Sequence, residues 1–352
     1  PQLLAARETL NTSLTLDEGS GWHEFASLEI MRKVVSLFSL VIIGLLSACA
    51  ADPAPTETTE APPSQQPTGA APEAEETAAP SEAPSQPGWV VSDFSAVAPE
   101  GVSAHLARTD FGYRLAYGSY GAGGWVVSEC SFEWECSVSG TIDRVADLTV
   151  VTLASGELRA YFVEINPDTK QKEIFTAKIS EDWLTLTDRK SIGFNDGGSL
   201  AWGVPDAVVT PEGLVRVYWV VPGEGMANER VISATSLDSS GIEFVLDEGD
   251  RLTGGYVDFE VVTASEDGWL AIASSSPEGL PRNPQGLFIA TSADGLVWEI
   301  APESISPSDM SYLDPTAVLN DSGDMELVIS RATNDLGQRD YELVRSVISQ
   351  TD

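Results

Sequence analysis

Tyr256-Val257-Asp258-Phe259-Glu260-Val261-Val262, a turn at Asp267-Gly268, Trp269-Leu270-Ala271-Ile272-Ala273, Leu287-Phe288-Ile289-Ala290-Thr291-Ser292 and Ala293-Asp294-Gly295-Leu296-Val297-Trp298 form the stretch that decides the fold. Four short β-prone runs are separated by Gly, Asp and Pro clusters with no helical period between them, which predicts a small antiparallel sheet. The unit recurs from Trp89 onward. Inner strands open with Val145-Ala146-Asp147, Val204-Pro205-Asp206, Val257-Asp258-Phe259 and Leu313-Asp314-Pro315, the aspartates lying 59, 52 and 56 residues apart. A second strand follows a glycine turn in each copy, at Gly112, Gly156, Gly213, Gly268 and Gly323, and the third strands end at Ser128, Ser180, Ser236, Ser292 and Ser346. Five units of about 52 residues predict an all-β chain, a five-bladed β-propeller of four-stranded antiparallel blades over residues 89–352. The fifth copy stops near Ser349 without an outermost strand, so Trp89-Val90-Val91-Ser92-Asp93-Phe94 is expected to complete it and close the ring.

The rest of the chain differs in composition. Residues 1–30 precede Met31 without apolar periodicity and read as an extension upstream of the true start. Residues 31–48 combine Arg32-Lys33 with a 13-residue, mainly apolar run, Val34 to Leu46, too short to span a bilayer but suited to a signal peptide. Residues 49–88 are a linker rich in Pro, Ala, Thr and Glu. From Ala50 to Gly88 it carries seven acids, no Lys or Arg and no aromatic residue, so it cannot bury enough surface to fold. A flexible chain of 39 residues has a root-mean-square span of roughly 35 Å. With 54 acidic residues against 19 Lys and Arg, and a net charge of −35, the chain is excluded from nucleic-acid binding. Cys130 and Cys136, six apart around Phe132-Glu133-Trp134, are spaced to link two strands of a hairpin by a disulfide. The only histidines are His23 and His105, and nothing in the sequence sets either beside a thiol, so cysteine nucleophile chemistry is unsupported.

Leu46-Ser47-Ala48-Cys49 resembles the lipobox of bacterial lipoproteins in all four positions. The resemblance implies cleavage before Cys49, lipidation of its sulfur and retention on the outer face of the cytoplasmic membrane, where two acyl chains give stable anchoring. Asp294-Gly295-Leu296-Val297-Trp298 resembles the Asp-box hairpin of sialidases and related propellers, a structural motif in which the acid caps a tight turn and the ring packs between sheets.

In a propeller the inner strands start near one mouth of the axis, which gathers Asp147, Asp206, Asp258 and Asp314 there. Tyr120, Asp168, Glu224, Glu278 and Arg282 come from the loops that open on the same face, and Arg144, Trp202, Tyr256 and Tyr312 stand just before the axial acids. Aromatic faces mixed with acids suit a sugar. Trp202, Tyr256, Tyr312, Asp314, Glu278, Arg282 and Tyr120 are the candidate ligand-binding residues. The pattern is similar to the five-bladed propellers of glycoside hydrolase families 43 and 32, and that resemblance implies Asp147, Asp206 and Asp258 as catalytic carboxylates, which need separations of about 5 to 9 Å. The first copy, Val102-Ser103-Ala104-His105-Leu106, lacks the acid. The architectural alternative is that each Asp bonds backbone amides of the next blade. Converging carboxylates also make an axial Ca2+ a candidate, the one cofactor considered. Asn320-Asp321-Ser322-Gly323-Asp324, a calcium-loop-like run, sits where the other copies have their Gly turn and reads as a hairpin turn. The functions expected are a membrane-anchored, monomeric, extracytoplasmic lipoprotein that binds a glycan or an envelope protein without turnover, a glycoside hydrolase, or a scaffold for another membrane component.

Overall fold

The computed structural model describes residues 88–119, 121–194, 203–222, 229–275, 284–332 and 341–351, all within one compact unit, Pro84–Asp352. Residues 1–87, with the signal-like segment, Cys49 and nearly all of the linker, lie outside the described residues. Every regular element among the described residues is a strand. The chain enters through β1 (Trp89–Val91) and β2 (Ser95–Ala98). The first blade is β3 (Val102–Thr109), β4 (Gly112–Ser119), β5 (Gly124–Ser131) and β6 (Cys136–Ile142). The second is β7 (Ala146–Thr152), β8 (Leu158–Ile165), β9 (Lys172–Ile179) and β10 (Leu186–Ser191). The third is β11 (Gly203–Val209), β12 (Val215–Val221), β13 (Arg230–Ser236) and β14 (Phe244–Leu246), with β15 (Leu252–Thr253) also on β13. The fourth is β16 (Tyr256–Ser265), β17 (Gly268–Ser275), β18 (Gly286–Ser292) and β19 (Trp298–Ile300). β20 (Ser311–Leu319), β21 (Met325–Ala332) and β22 (Tyr341–Gln350) make the inner three strands of the fifth.

The ring closes as the strand count requires. β1 pairs with β22 in the register Trp89↔Gln350 to Val91↔Ile348, and β2 continues along the same strand. Ser92 ties the two segments to β22, its hydroxyl accepting from Val347 N–H at 3.0 Å while Ser346 Oγ donates to Ser92 O at 2.7 Å. An edge that would otherwise present unpaired N–H and C=O groups is thereby covered.

Middle strands of a blade are sandwiched between two neighbouring blades, so both of their faces must be apolar. In β12, Val215, Val217, Tyr218, Trp219, Val220 and Val221 are all buried, and in β8 the run Arg159 to Val163 is buried without alternation. Hydrophobic clusters fill the seams in turn. Trp125 and Val127 of the first blade pack on Phe162 and Trp183 of the second. Tyr161 packs on Val217 between the second and third blades. Tyr218 packs on Phe259 and Trp298 between the third and fourth, Ile272 on Leu327 and Ile329 between the fourth and fifth, and Leu343 on Leu106 and Leu115 where the ring closes. Outer strands are wetter: β6 is exposed at Cys136 to Ser139.

Repeated side chains of the second strands serve this packing. Tyr161 Oη donates to Gly241 O at 2.7 Å and Tyr218 Oη to Gly295 O at 2.8 Å, each reaching the outer turn of the next blade. Arg216 donates to Asp294 O at 2.7 Å and lies over the Trp269 ring, and Arg114 likewise bonds Glu181 O and lies over Trp183. In the turn after β18, Asp294 Oδ1 accepts from Leu296 N–H and Val297 N–H at 2.8 and 3.0 Å, and Trp298 is buried with its Nε1 donating to Gly295 O. Gly295 is required there: at φ 72° a Cβ would meet Trp269 at 2.7 Å. Cys130 and Cys136 face one another across β5 and β6 and are joined by a disulfide. Asn320 and Asp324 close a hairpin turn, with Asn320 Oδ1 accepting from Ser322 N–H and Asp324 N–H, and Asp321 pairs with Arg108.

Candidate functional site

All five inner strands bulge near the axis. Register shifts fall between Val102 and His105, Ala146 and Thr149, Gly203 and Asp206, Tyr256 and Asp258, and Leu313 and Thr316. Ser103, Asp147, Val204 and Asp314 take left-handed φ values of 49°, 51°, 54° and 49° at the bulge. Short polar side chains tolerate that region, whereas a β-branched Val does so only under constraint. Asp147 supplies one, accepting from Val204 N–H at 3.1 Å. Gly203 makes the approach possible, because a Cβ there would stand 2.2 Å from Asp147 Oδ2.

The bulges sort the axial side chains into two layers, and this corrects the alignment of the aspartates. Thr149 faces Tyr161 and Asp206 faces Tyr218 in equivalent register, so Asp206 corresponds to Thr149 and not to Asp147. The upper layer is Ser103, Asp147, Val204, Asp258 and Asp314; the deeper layer is His105, Thr149, Asp206, Glu260 and Thr316. Both layers latch blade to blade. In the upper layer Asp258 Oδ2 accepts from Asp314 N–H at 3.0 Å and Asp314 Oδ2 from Ser103 N–H at 3.1 Å, alongside the Asp147 bond. In the deeper layer His105 Nε2 accepts from Val150 N–H at 3.0 Å, Asp206 Oδ2 from Val261 N–H at 2.7 Å and Thr316 Oγ1 from Leu106 N–H at 3.1 Å. Thr316 Oγ1 in turn donates to Glu260 Oε1 at 2.9 Å.

Burial dominates the electrostatics of this hub. Asp206 and Asp258 are 4% and 3% exposed. Burial pushes the Asp206 carboxyl up to about 6, against the pull of the Val261 amide and Glu260. Glu260 is held well above the usual carboxylate range by burial and by the charge of Asp206, and Asp258 likewise by burial and Asp314. Asp314 is raised by burial and by the charge of Asp147. His105, stacked on Trp183 at 5.3 Å, is lowered to about 4 by burial and is therefore neutral at physiological pH.

The cavity bounded by Ser103, Asp147, Asp206, Glu260 and Asp314 has a volume of about 20 Å³, room for about one water. Among the described residues no group of three or more His, Cys, Asp or Glu side chains is disposed to hold a metal ion, so the axial Ca2+ finds no ligand set there. Tyr312 is 2% exposed and stacks on Phe94 at 4.8 Å, which places its ring in the core rather than at the mouth. Tyr256 is half-buried and packs edge-on against Phe288. Tyr120, Trp202, Glu278 and Arg282 lie outside the described residues, as does Glu224. Arg144 is exposed and paired with Glu164. The structure thus brings Asp147, Asp206, Asp258 and Asp314 together, and adds His105, Thr149, Glu260 and Thr316. The signal for these was present: a polar residue stands two positions after Ser103, Asp147, Val204, Asp258 and Asp314 in every copy.

No protein-family profile matches the sequence, and no curated protein matches it. Among solved structures the fold is similar to a thermostable family-43 glycoside hydrolase, at 13% identity and a TM-score of 0.52 over 74% of this chain and 91% of that one. It is similar also to an endo-1,4-beta-xylanase from Bacteroides thetaiotaomicron, at 10% identity and 0.53 over 74% and 97%. The catalytic domain of the GH62 alpha-L-arabinofuranosidase of Coprinopsis cinerea aligns at 11% identity and 0.54 over 76% and 98%. Likeness at these identities establishes the five-bladed fold and leaves activity to the site.

Proposed function

We propose that this chain is a lipid-anchored, extracytoplasmic binding protein whose propeller takes carbohydrate at its axial face without turning it over. One observation carries the reading: the hub carboxylates Asp147, Asp206, Asp258 and Asp314 each accept a backbone N–H of the neighbouring blade. A group fixed in that way is part of the ring's closure and is poorly placed to attack or protonate a glycosidic bond. The carbohydrate class is supported by the fold shared with propellers that act on xylan and arabinosides. Anchoring is supported by Leu46-Ser47-Ala48-Cys49 after a signal-like run, and the Asp294–Trp298 turn is read as an Asp-box hairpin. Glycan arrays probed with the purified chain test the reading: binding retained in Asp147→Asn and Asp206→Asn is expected, and no binding to any glycan or envelope component overturns it.

A second reading, a glycoside hydrolase, is favoured by the raised Asp206 carboxyl, since a general acid works best with affinity for a proton near the operating pH. Chromogenic arabinosides, xylosides and fructosides separate the two. Turnover abolished by Asp206→Asn would establish the hydrolase.

A further inference from the structure

The hub acids meet in pairs. Asp206 of β11 and Glu260 of β16 line one cavity and meet across the seam between the third and fourth blades, where Asp206 Oδ2 accepts from the N–H of Val261, next to Glu260, at 2.7 Å. Asp258 of β16 and Asp314 of β20 meet across the seam between the fourth and fifth, where Asp258 Oδ2 accepts from Asp314 N–H at 3.0 Å. An ionised carboxylate only accepts hydrogen bonds, so two carboxyl groups in contact need a proton between them. Their other partners locate it. Asp206 Oδ2 accepts from Val261 N–H at 2.7 Å and Glu260 Oε1 from the Thr316 hydroxyl at 2.9 Å, and burial together with the Asp206 charge holds Glu260 well above the usual carboxylate range, which makes Glu260 the donor. Half-buried Asp314 accepts from Ser103 N–H and Ser330 Oγ, at 3.1 and 3.2 Å, while Asp258 is sealed from solvent, so Asp258 is the donor of the second pair.

Among the described residues nothing else nearby neutralises the charge. Facing the pairs are Asp147 from β7, the neutral His105 from β3, Ser274 from β17, Tyr218 from β12 and Ser330 from β21; no Lys or Arg lines the cavity among the described residues. Both donor acids belong to β16, so the fourth blade alone is held to each of its neighbours through a protonated carboxyl. The other seams are latched differently: His105 and Val150 between the first and second blades, Asp147 and Val204 between the second and third, Asp314 and Thr316 between the fifth and first.

We propose that Asp258 and Glu260 form a proton-dependent clasp on the fourth blade, each holding a proton shared with a carboxylate of a neighbouring blade, and that loss of these protons at alkaline pH releases this blade before the others. Deprotonation sets two anions in contact in each seam, away from bulk water, where repulsion is poorly screened. The clasp is a property of the ring itself and does not depend on what the axial face binds.

Hydrogen exchange on the full chain, corrected for intrinsic rates, tests it. As pH rises from neutral into the alkaline range, opening of peptides from β16 and β17 is expected to rise about tenfold for each pH unit beyond loss of a proton, while peptides from β7 and β8 change little. In the double variant Asp258→Asn, Glu260→Gln, whose amides supply the neutral donors permanently, that difference is expected to vanish. Equal responses of the second and fourth blades in the wild type overturn the proposal, as does a folded double variant whose fourth blade is already open at pH 7. Infrared spectra of the wild type give an independent check that needs no variant. A carbonyl band of protonated carboxyl groups is expected at pH 7 and is expected to disappear as the fourth blade opens; its absence at pH 7 overturns the proposal.

Discussion

Replacing Asp147 in two ways separates architecture from chemistry. Asp147 Oδ2 accepts from Val204 N–H at 3.1 Å, and Val204 is held at φ 54°, so the bond fixes a conformation a Val would not choose. Asp147→Ala removes the acceptor and leaves a half-buried N–H without its partner. A hydrogen bond to a charged group contributes about 1.5–3 kcal/mol, and half-burial puts this one near the lower end, about 2 kcal/mol. Asp147→Asn keeps an acceptor oxygen in place. It loses the charge assistance but also removes the charge that raises Asp314, so the net change is expected to stay within about 1 kcal/mol. In a domain of this size each kcal/mol moves the midpoint by roughly 2–4 °C, which gives a fall of roughly 4–8 °C for Ala and less than about 4 °C for Asn. Scanning calorimetry of both variants at pH 7 reads this directly. The reasoning is refuted if Asn falls as far as Ala, since charge and not the bond would then matter, or if Ala leaves the midpoint unchanged.

Three further outcomes follow from the same geometry. Gly203→Ala forces a Cβ to within 2.2 Å of Asp147 Oδ2, at a φ of 121° that only glycine adopts easily, and is expected to destabilise at least as much as Asp147→Ala, with little further loss in the double variant by urea titration. Cys130→Ser with Cys136→Ser opens a short disulfide loop and is expected to cost roughly 2 kcal/mol on the loop-entropy account, an effect that reduction of the wild type should reproduce. His105, lowered to about 4 in the fold, refuses a proton that the unfolded chain accepts below about 6.5, so its contribution to stability is lost as pH falls through that window, by about 1.4 kcal/mol at pH 5.5. Asp206, raised to about 6, acts in the opposite sense, stabilising most below about 4 and losing that contribution as pH rises through 6. His105→Gln should therefore show stability falling between pH 4 and 6 where the wild type is flatter, and parallel curves would refute the assignment.

The sequence alone determined the number of blades, their strand composition and the way the ring closes. Each blade is a local unit of about 52 residues whose glycine turns and β-prone runs are written in consecutive positions, and a final unit one strand short demands a donor from the other end. It also marked Asp294 as structural, because the Asp294–Trp298 run resembles a turn-capping hairpin motif. What only the tertiary structure decided is the meaning of the axial acids. A bulge in each inner strand shifts the side-chain sequence without changing the spacing of copies, so Asp206, 59 residues after Asp147, comes to lie one layer deeper beside Glu260. Tyr312, sequence-adjacent to the mouth, turns into the core against Phe94 for a similar reason: the strand's two faces are assigned by what packs on them, and Phe94 arrives from more than two hundred residues away. Whether a carboxylate catalyses or latches depends on which amide stands 3 Å from it, and those amides belong to the next blade, some fifty-five residues along the chain, where no local pattern can reach.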